Sequence, residues 1–183
     1  MYIFMIIYYT YEYLVDKYIP LKVHRKERND SHMCNNHAKR VNIVSLKMIK
    51  ESSILYSKRN ISSPSEAVII GRQVLDESDR EKLLLCCLNI KNEPTDLNIV
   101  SVGSLNSSIV HPREVFKVAI LSNSASIILF HNHPSGDSTP SKEDIDITER
   151  IKESGKILGI ELIDHIILGD NDEYTSLKER GVI

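Results

Sequence analysis

The chain has 183 residues, 42% of them apolar and 26% charged, with 7 Gly, 6 Pro and a net charge of −2. These values exclude a disordered or collagen-like chain. They leave room for one globular domain with an appendage, and they fit a whole-surface nucleic-acid binder poorly.

The first fifty residues are unlike the rest. Six of the eight tyrosines lie among the first 18 residues, and residues 1–50 hold 9 Lys/Arg against 4 Asp/Glu, whereas residues 51–183 hold 14 against 21. The apolar start is interrupted by Glu12 and Asp16. It is too short for a spanning helix, which needs about 20 apolar residues, and it lacks the basic region and cleavage site of a secretory signal. Residues 22–40 are basic and polar and carry His24, His32, Cys34 and His37. Without the cysteine pairs of a structural zinc site, this stretch reads as a solvated linker. Residues 1–60 are therefore taken as an N-terminal extension and residues 61–183 as the main domain.

Ser63-Pro64-Ser65-Glu66 opens a helix to about Asp76, with Ser63 as cap, Pro64 in the first turn and Glu66 completing a capping box. Residues 83–90 (LLLCCLNI) form a continuous apolar run, the pattern of a central strand buried on both faces. Cys86 and Cys87 inside it read as buried thiols in a reducing, cytoplasmic setting, with no disulfide framework. Residues 97–104 alternate as a second strand. Pro112 opens a helix through Leu121, with Val115, Val118 and Ala119 inward. Residues 125–130 (ASIILF) form a third strand, again buried on both faces. Ser141 caps a helix with Asp144 in the box position; Ile145, Thr148 and Ile151 face inward, and Gly155 and Gly159 end it. Residues 160–168 form a fourth strand, and Tyr174–Ser176 a short fifth. Helices alternating with strands buried on both faces imply a layered α/β domain.

The chemistry sits at the end of the third strand, in His131-Asn132-His133-Pro134-Ser135-Gly136. Residues i and i+2 of a strand share a side, so His131 and His133 can aim at one point. Pro134 and Gly136 then turn the chain into the capped helix, which carries Asp144 in its first turn. Two imidazoles and one carboxylate are a three-ligand set for Zn²⁺ with a fourth position for water, whose pKa such an ion lowers toward neutrality. Hydrolysis also needs a base that is not a ligand, and Glu81, just before the first core strand, is the candidate. Ser135 can donate to an oxyanion. Asn132 points away from the histidines and ties loop backbone. Asp164 and His165 read as structural or supporting groups in preference to a fourth ligand. Arg113 and Glu114 read as an ion pair or cap, and Lys142 and Glu143 as a solvated face.

The string Glu81…HNHPSG…PSKED (131–136 and 140–144) resembles the JAMM (MPN/JAB) metalloprotease signature, and residues 61–183 resemble the RadC-type JAB-domain proteins. The matching segments are ISSPSEA, DREKLLLCCLN, SVGSLNSSIVHPREVF, HNHPSGDSTPSKEDI and GIELIDHIILGD. The resemblance implies a JAB/MPN fold, a cytidine-deaminase-like mixed sheet flanked by helices. It implies zinc held by His131, His133 and Asp144, with Glu81 as acid/base and Ser135 on the oxyanion. The role of Glu81 comes from its place before the first core strand; spacing alone does not fix it. The substrate implied is a peptide or protein. Longer RadC-type proteins carry a glycine-rich helix-hairpin-helix segment, whereas residues 1–60 here contain no glycine. The association of such families with DNA repair is one of name and implies no chemistry in these residues.

Two other functions compete with an amide hydrolase. A non-catalytic JAB-fold module in recombination or on mobile elements is opposed by the complete ligand and base set. A nuclease reading of His-Asn-His is opposed by its contiguity and by the acidic balance of residues 51–183. A cytidine deaminase needs His-x-Glu and Pro-Cys-x-x-Cys, and neither is present.

Overall fold

The computed structural model describes residues 41–76, 78–103 and 110–183. The tyrosine-rich start and the histidine- and cysteine-bearing stretch to residue 40 lie outside the described residues. The chain divides into two units, Met1–Leu46 and Lys47–Ile183. Of the first, residues 41–46 carry no helix or strand. The second contains every element described below.

Its elements are α1 (Pro64–Leu75), β1 (Lys82–Leu88), β2 (Pro94–Val102), α2 (Pro112–Leu121), β3 (Ser126–Asn132), α3 (Lys142–Leu158), β4 (Glu161–Leu168) and β5 (Tyr174–Ser176). The strands form one mixed sheet in the order β2-β1-β3-β4-β5. β3 and β4 run parallel, joined by α3, and the other neighbours are antiparallel. This is the mixed sheet flanked by helices that the sequence leads one to expect.

Two apolar layers cover the two faces of the sheet. Leu83, Leu85 and Cys87 of β1 and Ile127 and Leu129 of β3 pack with Val115, Phe116 and Ala119 of α2 and Ile147 and Ile151 of α3. The alternate residues Leu84, Cys86, Leu88, Ile128 and Phe130 pack with Ala67, Ile70 and Leu75 of α1. The period of two thus splits each central strand between opposite layers, which is why both read as unbroken apolar runs. On this parity His131 lies on the α3 side of the sheet.

Local chemistry sets the element ends. Ser63 accepts from the Glu66 amide as expected, but the Glu66 carboxylate reaches back to the amide and hydroxyl of Ser62, at 2.8 and 2.7 Å, one residue before the cap. In α3 the Ser141–Asp144 box is reciprocal, and Gly159 ends the helix at φ 70°. Three details differ from the sequence reading. The buried apolar residue of the first turns of α3 is Ile147, with Ile145 only half-buried. In α2 it is Phe116 that is buried and Val118 that is partly exposed. Gly155 does not end α3: it lies inside it, and a Cβ there would fall 2.4 Å from the Ile160 carbonyl, so it is a close-approach position.

One irregularity matters for function. The β3–β4 register shifts between Ile127, opposite Leu162, and Ile128, opposite Asp164, so that Ile163 is the extra residue. A bulge of one residue exchanges the faces of everything beyond it. His165 is thereby placed opposite Leu129, on the α3 side of the sheet.

The ring of Phe130 is fully buried at the centre of the α1 layer. Phe130→Ala is expected to lower unfolding free energy by about 3–5 kcal/mol in urea denaturation. A loss below about 1 kcal/mol would show that this layer does not carry the fold.

Candidate metal centre

β3 delivers His131 while still paired on both sides, opposite Leu83 of β1 and Ile167 of β4. His133 lies just beyond, and its amide continues the ladder by donating to the Leu168 carbonyl at 3.0 Å. The strand-like i, i+2 relation therefore persists past the end of β3, and the two rings stand 4.6 Å apart. The Gly136 amide donates to the His133 carbonyl at 2.9 Å and turns the chain. Gly136 has φ +83°, and a Cβ on it would fall 2.4 Å from Asp170 Oδ2. Behind this turn, Arg72 of α1 donates to the carbonyls of Gly169 and Glu173, which anchors the β4–β5 connection against which Gly136 packs.

Asp144 comes from the first turn of α3. Its Oδ2 accepts from the Ser141 amide and hydroxyl at 2.7 and 2.6 Å. The carboxylate is buried, and its oxygens face both imidazoles: Oδ1 is 3.4 Å from His131 Nε2, and Oδ2 is 3.6 Å from His133 Nε2. One ligand atom from each of the three residues lies within 4.8 Å of the others. Zinc–nitrogen and zinc–oxygen bonds of about 2.0–2.2 Å in a tetrahedron put neighbouring ligand atoms about 3.3–3.5 Å apart, and the two imidazole–carboxylate distances lie close to that spacing.

Hydrogen bonding behind the rings supports the same use. His133 Nδ1 is 2.5 Å from the Asp137 carbonyl, which can only accept, so Nδ1 carries a proton and Nε2 faces Asp144. His131 Nε2 is buried with no hydrogen-bond partner. An orphaned buried nitrogen costs about 1–3 kcal/mol, and a cation coordinated at that point would satisfy it.

Electrostatics separates the two histidines. Burial holds the His131 pKa well below the ordinary imidazole value, aided by His165 and only partly offset by Asp144. The Asp144 carboxylate, 3.6 Å from its Nε2, raises that of His133 against the effect of burial, with further contributions from the Asp137 carbonyl and the charge of Glu81. Burial pushes the Asp144 carboxyl up, but the nearby His133 and His131 rings and the Ser141 donors outweigh it and hold the group below the usual carboxylate range. The carboxylate is therefore ionised near neutrality and His131 is neutral, as ligation requires.

Glu81 is half-buried and immediately precedes β1. Its backbone is fixed on three counts. Its carbonyl accepts from the Gly103 amide at 2.8 Å. Asn132, between the two histidines, accepts from the Lys82 amide at 2.9 Å and donates to the Arg80 carbonyl at 3.0 Å. The residue that faces away from the histidines thus clamps the chain on either side of Glu81. Ser135 is exposed on the turn after His133.

Asp164 and His165 act behind the site. Asp164 accepts from the Ser176 hydroxyl and from the amides of His165 and Lys178, which ties β4 to β5. His165 Nε2 lies 3.2 Å from His131 Nδ1, and its Nδ1 lies 2.6 Å from the Thr148 hydroxyl. Burial lowers its pKa to about 4. Sequence reasoning treated Thr148 as an inward residue of α3 and did not see that its hydroxyl joins this chain. Its place four residues after Asp144, on the same helix face, was the available signal. Near the start of α2, Arg113 and Lys117 pair with Glu114, and Lys142 and Glu143 are exposed.

A mixed sheet with two histidines at the end of a central strand and an aspartate in the first turn of the following helix defines a JAB-type domain with a potential metal site. The RadC-like JAB domain family matches residues 61–182, and the chain belongs to that family. A UPF0758 protein of Methanosarcina barkeri is 47% identical over 133 residues, covering 73% of this chain and 58% of the relative. One from Desulfitobacterium hafniense is 54% identical over 123 residues, covering 67% and 54%. One from Clostridium botulinum is 49% identical over 148 residues, covering 79% and 64%. The chain thus spans a little over half the length of the first of these relatives.

Asn132→Ala would leave the Lys82 amide and the Arg80 carbonyl without their partner. Hydrogen exchange at the Lys82 amide is expected to accelerate at least tenfold, corresponding to about 1.4 kcal/mol or more. Unchanged exchange would show that Asn132 does not hold this segment.

Proposed function

We propose that this chain is a zinc-dependent hydrolase of amide bonds, peptide or isopeptide, in which His131, His133 and Asp144 hold the metal. The observation that carries the reading is the buried, partnerless His131 Nε2 facing the Asp144 carboxylate, with His133 Nε2 aimed at the same carboxylate. Zinc suits the donor set because two neutral nitrogens and one carboxylate leave the centre cationic and a coordination position open. When bound, the ion would lower the pKa of a water toward neutrality and polarise the scissile carbonyl.

The remaining work falls to the chain's own groups. Glu81, on a segment pinned by Asn132 and Gly103, takes a proton from the attacking water at its carboxylate and delivers it to the leaving amine nitrogen. Its influence on His133 supports its nearness to the site. Ser135, exposed at the turn, donates from its hydroxyl to the carbonyl oxygen as charge builds there. The substrate class is a peptide or protein. The acidic balance of residues 51–183 gives no support to binding duplex DNA. No described helix is long and apolar enough to cross a membrane; the buried thiols of Cys86 and Cys87 favour a cytoplasmic setting.

The experiment is a zinc determination joined to a peptide-library cleavage screen. Wild-type protein is expected to bind about one zinc and to cleave. His131→Ala and Asp144→Ala should each lose the metal. Glu81→Gln should keep it and lose cleavage by at least about a hundredfold. Zinc-free wild-type protein after reconstitution would overturn the reading, and metal-loaded protein without cleavage would favour a non-catalytic interaction module of the same fold.

The pH dependence has a definite sign. His133 must be neutral to bind a metal, and its pKa is raised, so protons compete as pH falls through that value. Zinc affinity is expected to fall from about pH 8 to about pH 6, approaching tenfold per pH unit once His133 is protonated. Calorimetry in buffers of different ionisation enthalpy should detect the released proton. An affinity independent of pH over that range would exclude His133 as a ligand.

A further inference from the structure

The two histidine nitrogens that face Asp144 are set by different means. His133 is oriented by a carbonyl, which can only accept a hydrogen bond. His131 has no such partner: its Nδ1 meets another imidazole, His165 Nε2, at 3.2 Å. Two imidazoles in contact do not decide which carries the proton, so something further along must break the symmetry.

That group is Thr148. Its Oγ1 lies 2.6 Å from the Asp144 carbonyl and 2.6 Å from His165 Nδ1. A hydroxyl has one proton, and two oxygens at 2.6 Å need a proton between them, so Thr148 donates to the Asp144 carbonyl. Its lone pair then receives the His165 Nδ1–H. A neutral imidazole carries one N–H, so His165 Nε2 is an acceptor and His131 Nδ1 must donate to it. His131 is left with a bare Nε2, and that is the buried atom without a partner. The opposite polarity would put a proton on Nε2, where Asp144 Oδ1, 3.4 Å away, makes no hydrogen bond in this geometry.

Two features of the fold assemble this chain. Thr148 sits one turn after Asp144 on α3, so the carbonyl that fixes the polarity belongs to the residue whose side chain faces the same histidine. The bulge at Ile163 places His165 on the α3 side of the sheet, between Thr148 and His131.

We propose that Thr148, acting through His165, fixes the tautomer of His131 so that its Nε2 lone pair is presented beside Asp144 before any metal arrives. Thr148 and His165 are positioning residues in this scheme. The proposal rests on the reading of His131 as a ligand, and the two are separable by experiment.

Long-range proton–nitrogen correlation spectra of metal-free wild-type protein, labelled with ¹⁵N-histidine, report the tautomer of each ring directly. The expected result is Nδ1–H on both His131 and His165 near neutral pH. Nε2–H on either ring would overturn the proposal. Thr148→Val removes the hydroxyl at nearly constant volume; it should populate Nε2–H on His131 and weaken zinc binding about 10–100-fold in a chelator competition. Thr148→Ser should restore both the tautomer and the affinity. Equal zinc affinities for wild type and Thr148→Val, both folded by circular dichroism, would overturn the proposal. If wild-type protein shows both Nδ1–H tautomers yet binds no zinc, the tautomer assignment stands and the ligand reading fails.

Discussion

A single buried carboxylate holds the design together. Asp144 occupies the third position of α3, where its Oδ2 accepts from the Ser141 amide and hydroxyl and so starts the helix. The same group meets two imidazoles delivered by β3. Burial would favour protonating it, but the donors around it prevail and keep it ionised. The capping box that opens α3 thus places a carboxylate at the end of the central strand. The fold therefore makes structural and chemical use of one side chain, and the cost of burying that charge is offset by the groups a cation would join.

Around that carboxylate the structure works in layers of constraint. β3 is locked between β1 and β4, which fixes the backbone of His131. Asn132 grips the chain on both sides of Glu81. Gly136 lets the following turn close against the β4–β5 connection, held in turn by Arg72. Each device acts on the backbone and so fixes the points from which the polar side chains extend. Positioning of this kind lowers the reorganisation needed when a ligand binds.

Much of this was legible in the sequence because the signals are local. Ser141 and Asp144, three apart, announce the capping box. The run LLLCCL announces a strand covered on both faces, and His-x-His at the end of a second such strand announces two rings on one side. The pieces that were not legible depend on register and packing. Ile147 replaces Ile145 in the core because the helix is rotated by the layer it joins, and neither residue differs in hydrophobicity. Gly155 resembles a helix stop, yet it is needed where the Ile160 carbonyl approaches. The bulge at Ile163 has no mark of its own in the β4 sequence ELIDHIIL, so the facing of His165 is not legible there. Thr148 reads as a small inward residue, and its hydroxyl acquires meaning only from the Asp144 carbonyl and the His165 ring that flank it.

The relation to the UPF0758 proteins covers the domain and a little over half of the Methanosarcina barkeri relative's length, and the proposed chemistry lies within residues 61–182. We propose that His131, His133 and Asp144 together bind a metal ion. Diffraction from zinc-soaked crystals at the zinc absorption edge tests it most directly. One strong anomalous peak is expected within about 2.0–2.2 Å of His131 Nε2, His133 Nε2 and an Asp144 carboxylate oxygen. A fully soaked crystal with no peak there, or with the ion held by other residues, would contradict it.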